Sequence, residues 1–389
     1  MVIVGCVGNI RILGGVVAAN SLMSIESLMA SASDPDLRSE HMCRLGIGLA
    51  QIGRIDEASQ ILEQLRAYLS SRYALRVLIR TMILEAIIPY YRDFLDYSDR
   101  LRRAHALASA ARIEDLRAEV SVWSAHISFN FDNFDNFHCS LKDAFDRFVH
   151  LDYSHRARLS LLIADGLQFL GQRKSAAEWY GIARNISRYV HDHGLMVAIE
   201  FNRVAMGLSH IRLQRALGRN YAVEEERNWL LELSSVKNLH HGFGSQALLE
   251  VLDLCEAHAM EIQGRYLDAA KRLTRVRDAG GLHRCGVSER LANLEIIWCE
   301  VKAGHRTVSI EWIEQEYDVL LAMTQNDRLL AMHFLRDIIN AEAISFDQAQ
   351  IDSMIRDSIE RLEGEYQSLT NVLAPIHRDI SVVAENCIV

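Results

Sequence analysis

A pattern of large, small and turn-forming residues recurs along this chain, and it restricts the folds that the chain can adopt. In residues 39–69 the apolar side chains follow the period of a helix, and Gly53 separates two helical segments. Gly46 and Ala58 are small where the two helices would touch, because a bulky side chain would push them apart. The apolar stripe that one hairpin cannot bury alone consists of Leu49, Leu62 and Leu65. The segment therefore predicts helical hairpins that stack on one another.

The same register returns further along the chain. Clear copies start at Ala157 and Glu250, and looser copies start at Ala118 and Arg290. The starts at 118 and 157 lie 39 residues apart, and those at 250 and 290 lie 40 apart. Degenerate copies are expected at 75–112 and 195–235. This self-similarity predicts a helical-repeat array.

The composition agrees with an all-α fold. Half of the 389 residues are hydrophobic, 24% are charged and only three are proline, so a large core can form and few residues interrupt helices. Pro89 lies in the first degenerate copy, where its missing backbone donor would bend a helix.

One copy has an unusual turn. In the repeat from Ala118 the sequence FNFDNFDNF, residues 129–137, replaces the glycine turn, and Phe137 stands where a small residue is expected. We expect this hairpin to be splayed or shifted, with Phe134 and Phe137 in the core. A partner-contact role for Phe129 or Phe131 is the alternative.

Residues 39–69 closely resemble tetratricopeptide repeats, and QGRYLDAA at 263–270 resembles the turn of that family. The period exceeds the 34 residues of a plain tetratricopeptide array. It is similar to that of the helical-repeat sensor arm of bacterial maltose-activator-type regulators and of repeat arms placed before bacterial diguanylate cyclases. The resemblance implies an all-α, right-handed superhelical solenoid over residues 39–345. Residues 1–38 would be an N-terminal helical extension.

In that family the first helix of each hairpin lines a concave groove that holds a protein or peptide partner. The groove positions of the four better repeats contain no Lys or Arg, so a clamp for a partner's terminal carboxylate is not supported. The remaining groove is mildly polar, and its candidate partner contacts are His126, Asn130, Asp165, Gln168, His258 and Glu261. The alternative for each of them is a solvated side chain without a partner role.

The C-terminal segment, residues 346–389, contains a short heptad seam. Its apolar positions are spaced four and three residues apart, and they are Ile355, Ile359, Leu362, Tyr366, Leu369 and Leu373. Every solenoid needs a lid over its last repeat, so a capping helix is the first interpretation. A coiled-coil helix that forms a homodimer through residues 355–373 is the alternative.

Motifs for common chemistry are missing from the sequence. No phosphate loop, Rossmann glycine pattern, nucleophile elbow, HExxH motif or kinase motif is present, so we expect no enzyme activity and no cofactor. The net charge of −9, with both signs interspersed, argues against nucleic-acid binding. The histidine groups at 191–193, 240–241 and 283–285 lack the spacing of helical metal pairs, so no metal site is expected. We interpret 191–194 as the end of a helix, with Gly194 as the stop.

Cysteine usage and the N-terminus bear on location. The seven cysteines are odd in number and contain no CxxC pair, which favours a reducing, cytoplasmic compartment over a disulfide framework. The uncharged stretches at 1–10 and 12–25 are each too short to span a bilayer.

The sequence thus predicts a cytoplasmic, non-catalytic helical-repeat scaffold that binds a protein or peptide. The alternative is the ligand-sensing arm of a bacterial signalling or transcriptional protein whose output domain is absent from this chain. A third class, an enzyme built on a helical-repeat frame, also stays open.

The repeat register makes a prediction about its small positions. Gly46, Ala164, Ala257 and Ala269 should lie at helix crossings, so Ala257→Leu and Ala269→Leu should each lower the free energy of unfolding by about 1 to 3 kcal/mol. Thermal or denaturant unfolding measures the change. Unchanged stability in both variants would show that the register is wrong.

Overall fold

The computed structural model describes residues 19–380 except 52, 94, 132, 217, 219–222, 244–248, 285–286, 321–324, 343 and 345–347. Over this described part, the regular secondary structure is helical and no strand occurs. The prediction of an all-α fold is confirmed. The apolar stretch before residue 19, together with Cys6, Cys285 and Cys387, lies outside the described residues.

After a first helix, α1 (Ala19–Ser31), the helices follow one another in pairs. The first pairs are α2 (Pro35–Gln51) with α3 (Ile55–Ser71), α4 (Leu75–Asp93) with α5 (Ser98–Ala110), α6 (Glu114–Asn130) with α7 (Phe134–Phe145), and α8 (Tyr153–Phe169) with α9 (Arg173–Tyr189). The later pairs are α10 (His193–Ala216) with α11 (Val223–Phe243), α12 (Leu249–Ile262) with α13 (Tyr266–Asp278), α15 (Glu289–Lys302) with α16 (Ile310–Leu320), and α17 (Gln325–Ala341) with α18 (Gln348–Arg378). A single turn of helix, α14 (Gly281–Arg284), precedes α15.

The first helices of the first five pairs begin at residues 35, 75, 114, 153 and 193, so the period of 39 to 40 residues is confirmed. The two intervals expected to hold degenerate repeats form α4–α5 and α10–α11. Helix α2 contacts α4, α4 contacts α6, and α15 contacts α17, so first helices pack on the first helices of neighbouring pairs. Pro89 lies inside α4, which continues to Asp93.

The small positions lie where the register places them. A Cβ atom added at Gly46 would lie 2.8 Å from Leu84 of α4 and 3.2 Å from Ile61 of α3. Gly46 therefore allows α2 to approach both its own partner helix and the next hairpin. Ala164, Ala257 and Ala269 are fully buried.

The turns within hairpins share one hydrogen-bonding pattern. The Arg54 amide donates to the Leu49 carbonyl at 2.9 Å, five residues back, and Gly53 between the helices has a φ of 82°. A left-handed residue closes a helix in this way because the following amides turn back to the last carbonyls. Glycine occupies the same place at Gly171, Gly264 and Gly304.

At two turns a residue with a side chain takes the left-handed conformation. Arg112 and His191 both have a φ of 55°. The interpretation of Gly194 as the helix stop is therefore wrong, because α9 ends at Tyr189, His191 makes the turn and Gly194 lies in α10.

The phenylalanine-rich turn closes like the others, so the prediction of a splayed hairpin is wrong. The Asn133 amide donates to the Ser128 carbonyl at 2.9 Å, and the Asn133 side chain accepts from the Asn136 amide at 3.2 Å. Phe137 is buried with its ring 5.0 Å from that of Phe129. On the neighbouring α8, a Cβ atom at Gly166 would lie 3.8 Å from its ring, which is ordinary van der Waals contact.

Internal contacts divide the chain into two compact units. Of the described residues, the N-terminal unit contains 19–167, 173–200 and 371–380, and the C-terminal unit contains 168–172 and 201–370.

His191 supplies a test of the turn geometry. A side chain in the left-handed region costs about 1 kcal/mol or more, and glycine avoids that cost at some loss of chain entropy. His191→Gly should therefore raise the free energy of unfolding by about 0.5 to 1 kcal/mol in urea unfolding.

His191→Ala is the matched control, because it removes the imidazole and keeps the Cβ atom. The control should leave stability close to that of the unchanged chain. If alanine stabilises as much as glycine, the imidazole and not the backbone carries the cost.

Candidate functional site

Three predicted groove residues lie in the N-terminal unit, and all of them are buried. His126 on α6 has its ring 5.5 Å from that of Tyr90 and 5.8 Å from that of Trp123. Asn130, one turn later, donates its side-chain amide to the His126 carbonyl at 2.8 Å. Burial, followed by the charge of Arg158, lowers the pKa of His126 well below its ordinary value. The imidazole is therefore neutral at physiological pH.

Asp165 on α8 is also in this unit. It accepts a hydrogen bond of 2.6 Å from the hydroxyl of Tyr180 on α9, and both groups are buried. This bond joins the two helices of one hairpin. The carboxylate is thus part of the packing between α8 and α9.

The other three predicted residues lie in the C-terminal unit. Gln168, near the end of α8, is buried. His258 and Glu261 lie one turn apart on α12, and both face Arg212 of α10. Each unit therefore contains three of the six predicted residues. As contacts to a partner they stay a prediction, whereas the solvated alternative is wrong because every one of them is buried.

Arg212 is the centre of a buried polar cluster, with only 1% of its surface exposed. Its Nε atom donates to Glu261 at 2.8 Å, and another guanidinium nitrogen lies 2.6 Å from a carboxylate oxygen of Glu295 on α15. A third guanidinium nitrogen lies 2.9 Å from Nε2 of His258. The Arg212 guanidinium also lies 6.0 Å from the ring of Phe334 on α17. The cluster thus joins the first helices of four successive hairpins.

The electrostatics of this cluster favour a protonated Glu261. Burial, reinforced by the neighbouring Glu295 and opposed by Arg212, raises the pKa of Glu261 to about 8. Burial and the charge of Arg212 lower the pKa of His258 well below its ordinary value, so that its Nε2 can accept from the guanidinium. A protonated Glu261 and a neutral His258 reduce the number of charges buried around Arg212. A buried site holds fewer charges at lower cost.

The N-terminal unit has a comparable row of charges that sequence reasoning missed. Arg80 on α4, which is buried, pairs with Glu40 on α2 and lies 3.1 Å from a carboxylate oxygen of Glu119 on α6. On the exposed side, Arg76 lies 3.1 Å from Glu40 and 2.6 Å from Asp115. The pattern was present in the sequence, because Glu40, Arg80 and Glu119 occupy the sixth position of three successive first helices with alternating sign.

Helix α18 covers part of α8. In the N-terminal unit, a Cβ atom at Gly166 would lie 2.9 Å from Leu373, so the leucine sits directly over the glycine. In the same unit, Nε1 of Trp179 lies 3.3 Å from Nδ1 of His377. In the C-terminal unit the ring of Tyr366 packs edge-on to that of Phe169 at 4.9 Å.

The heptad seam is buried within the single chain at four of its positions, which are Ile355, Tyr366, Leu369 and Leu373. The side chain of Leu362 lies outside the described residues. Near its start, α18 contacts the preceding hairpin, where the Tyr317 hydroxyl lies 2.8 Å from the sulfur of Met354. A homodimer through 355–373 would need this face to be exposed.

The described residues contain no cluster of metal ligands, and two of their buried thiols are protonated. Across them, no three His, Cys, Asp or Glu side chains converge in a way that could hold a metal ion. The side chains of His193, His240, His241 and His283 lie outside this description. Burial raises the pKa of the Cys43 and Cys255 thiols to about 12, so both stay protonated. None of the helices in the described ranges has the length and apolar character needed to cross a bilayer.

Comparison with solved structures finds a Rap protein complexed with competence and sporulation factor, at a TM-score of 0.53 and 14% sequence identity. The match covers 93% of this chain and 96% of that chain. At this identity the likeness concerns the fold, and it confirms the prediction of a tetratricopeptide-like helical-repeat architecture. No protein-family model matches the chain, and no curated protein matches it. The resemblance to maltose-activator arms stays a prediction.

Glu261 provides a test of the buried cluster. Because its pKa is raised from an ordinary 4.5 to about 8 in the fold, ionisation favours the unfolded chain as the pH rises between these values. Glu261→Gln mimics the protonated form and removes this penalty. The stability gain is the free energy of unfolding of the variant minus that of the unchanged chain. This gain should be about 2 to 4 kcal/mol larger at about pH 8.5 than at about pH 6.

Glu57→Gln is the control for this measurement. Glu57 is exposed, and its hydrogen bond to Arg54 lowers its pKa, so it is ionised throughout this pH range. In urea unfolding, the difference in free energy of unfolding between the control and the unchanged chain should be the same at both pH values. A pH-independent difference for Glu261→Gln as well would contradict the raised pKa of Glu261.

Proposed function

We propose that this chain is a non-catalytic helical-repeat scaffold that binds a helical segment of a protein or peptide against the first helices of its hairpins. The observation that carries the proposal is the docking of the last turns of α18 on the α8–α9 hairpin. There the chain's own amphipathic helix occupies a surface of the kind that a partner helix would use. Recognition of an amphipathic helix in a groove is a common mode of peptide binding.

The docking surface on α8–α9 is defined by Gly166 and Trp179 in the N-terminal unit. Leu373 fills the space above Gly166, and Ile376, three residues later, is buried with it. His377 places a ring nitrogen beside the Trp179 indole at 3.3 Å. The surface thus selects apolar side chains at a three-residue spacing, followed by a polar group that can pair with an indole N–H.

The solved structure to which this chain is similar gives independent support for the proposal. The Rap protein is complexed with competence and sporulation factor, so a protein of this fold holds a partner. The polar residues predicted for the groove then act beneath the binding surface. Asp165 is an example, because its bond to Tyr180 ties together the two helices that carry Gly166 and Trp179.

The finer features of the proposal come from the sequence. The resemblance implies a right-handed superhelix with a concave groove and a bacterial source, and the cysteine usage favours a cytoplasmic location. A second candidate function is the ligand-sensing arm of a signalling or transcriptional protein whose output domain is absent from this chain. It is favoured by α18, because a partner that took the α8–α9 surface would displace the end of this helix and so change the C-terminal segment.

A peptide with the sequence of residues 348–378, labelled with a fluorophore, tests the surface in trans. The double variant Leu373→Ala, Ile376→Ala in the full chain weakens the docking of its own α18 by removing apolar contacts. The labelled peptide, which keeps both residues, should then bind to the variant at least about tenfold more tightly than to the unchanged chain. Fluorescence anisotropy measures the affinity.

The matched control is Glu360→Ala, Arg378→Ala, which changes two exposed positions of the same helix. It should bind the peptide no better than the unchanged chain. Circular dichroism checks that each variant keeps its helical content. Equal peptide affinity for all three proteins would contradict the proposed surface.

A further inference from the structure

A polar cavity lies away from the α8–α9 surface, among helices α5, α6 and α7 of the N-terminal unit. Its volume is about 560 Å³, and ten residues line it. No aliphatic residue and no Phe, Tyr or Trp is among the ten: four are serines and two are asparagines, and the others are arginine, histidine, aspartate and cysteine. A volume of this size falls within the roughly 300 to 1,000 Å³ of small-molecule sites, whose walls are usually apolar.

The acidic group in the cavity wall is already neutralised by the protein. Asp143 on α7 lies 2.6 Å from Arg117 and 2.7 Å from Arg147, and it accepts a hydrogen bond of 2.8 Å from the Ser121 hydroxyl. Nε2 of His105 on α5 lies 3.0 Å from the same carboxylate. The carboxylate is therefore fixed in place and has little remaining capacity for a cation.

The basic group in the wall also has a partner. Arg102 on α5 pairs with Asp99 one turn earlier on the same helix. Both members of the pair are largely exposed, so the pair lies at the mouth of the cavity and not in its interior. The cavity therefore presents no uncompensated charge that would select a charged ligand.

Hydrogen-bonding groups remain available between these two pairs. Within the described part of the chain, the hydroxyls of Ser124 on α6 and Ser140 on α7 have no hydrogen-bond partner. The side-chain oxygen of Asn133 accepts from the Asn136 amide, and the side-chain nitrogen of Asn136 donates to Ser128 at 2.6 Å. One donor group of Asn133 and one acceptor group of Asn136 are left over. Two hydroxyls and two amide groups thus face the space.

From this lining we infer that the cavity binds a small uncharged polyol, held by the hydroxyls of Ser124 and Ser140 and by the amides of Asn133 and Asn136. An apolar ligand would leave these groups without partners when it displaced water, which is costly. A charged ligand would lose its hydration without meeting an opposite charge. A polyol replaces the displaced water with groups that both donate and accept. A cyclitol fits this volume with room for bridging waters.

Isothermal titration calorimetry of the full chain tests the inference with three matched probes. They are myo-inositol, cyclohexanol, which has the same ring with a single hydroxyl, and myo-inositol 1-phosphate. We expect myo-inositol to bind, cyclohexanol to bind at least about tenfold more weakly, and the phosphate to bind no more tightly than myo-inositol.

The double variant Ser124→Ala, Ser140→Ala removes both hydroxyls with little change in side-chain volume. It should weaken myo-inositol binding at least about tenfold. The control Ser59→Ala, Ser234→Ala changes two serines outside the cavity and should bind as the unchanged chain does. Circular dichroism confirms that each variant is folded.

Several outcomes would overturn the inference. Absence of heat from myo-inositol at millimolar concentration would do so, and so would equal binding of cyclohexanol. Tighter binding of the phosphate would show that the cavity is an anion site. Retention of full affinity in the Ser124, Ser140 double variant would place the polyol elsewhere on the chain.

Discussion

The stacking of first helices on one another is the constraint from which the rest of this structure follows. A helix that is covered by its own partner and by neighbouring first helices has little solvated surface, so its polar side chains must find partners within the protein. Arg80 meets this requirement with Glu40 and Glu119, and Arg212 meets it with Glu261, Glu295 and His258. Each bond of this kind joins separate hairpins, so it fixes which helices lie side by side. Breaking such a pair leaves a buried charge, which costs more than the pair itself contributes.

Much of the fold could be predicted because equivalent positions in successive repeats meet the same structural requirement. Gly46 and Ala257 are small for a reason that depends only on helix contact, and Gly53 and Gly264 have the conformation that the turn requires. The hairpin with Phe129 and Phe137 was mispredicted because a small position was assumed to be small in every repeat. Phe137 is instead buried within its own hairpin, where its ring packs against that of Phe129.

The candidate groove residues lie on first helices, and their environment differs from the one expected. His126 and Glu261 were placed on first helices, as the structure shows, but they were expected to face solvent or a partner and they are buried. Arg80 could have been found by comparing equivalent positions of successive repeats, where the charge alternates. Arg212 could not, because the period is interrupted after α10–α11 and the next first helix begins only at residue 249. The polar cavity of α5–α7 was also not predicted from the sequence, because its serines and asparagines have no unusual spacing.

The alternation of charge along the first helices also bears on how the array can change over evolutionary time. Glu40, Arg80, Glu119 and Arg158 occupy the sixth position of four consecutive first helices. Deleting the α4–α5 hairpin from the gene would set Glu40 beside Glu119, two acidic groups with no cation between them. Deleting α4–α5 and α6–α7 together would set Glu40 beside Arg158 and restore opposite signs. An inner hairpin of this row, α4–α5 or α6–α7, can therefore be lost without bringing like charges together only when a neighbouring hairpin is lost with it.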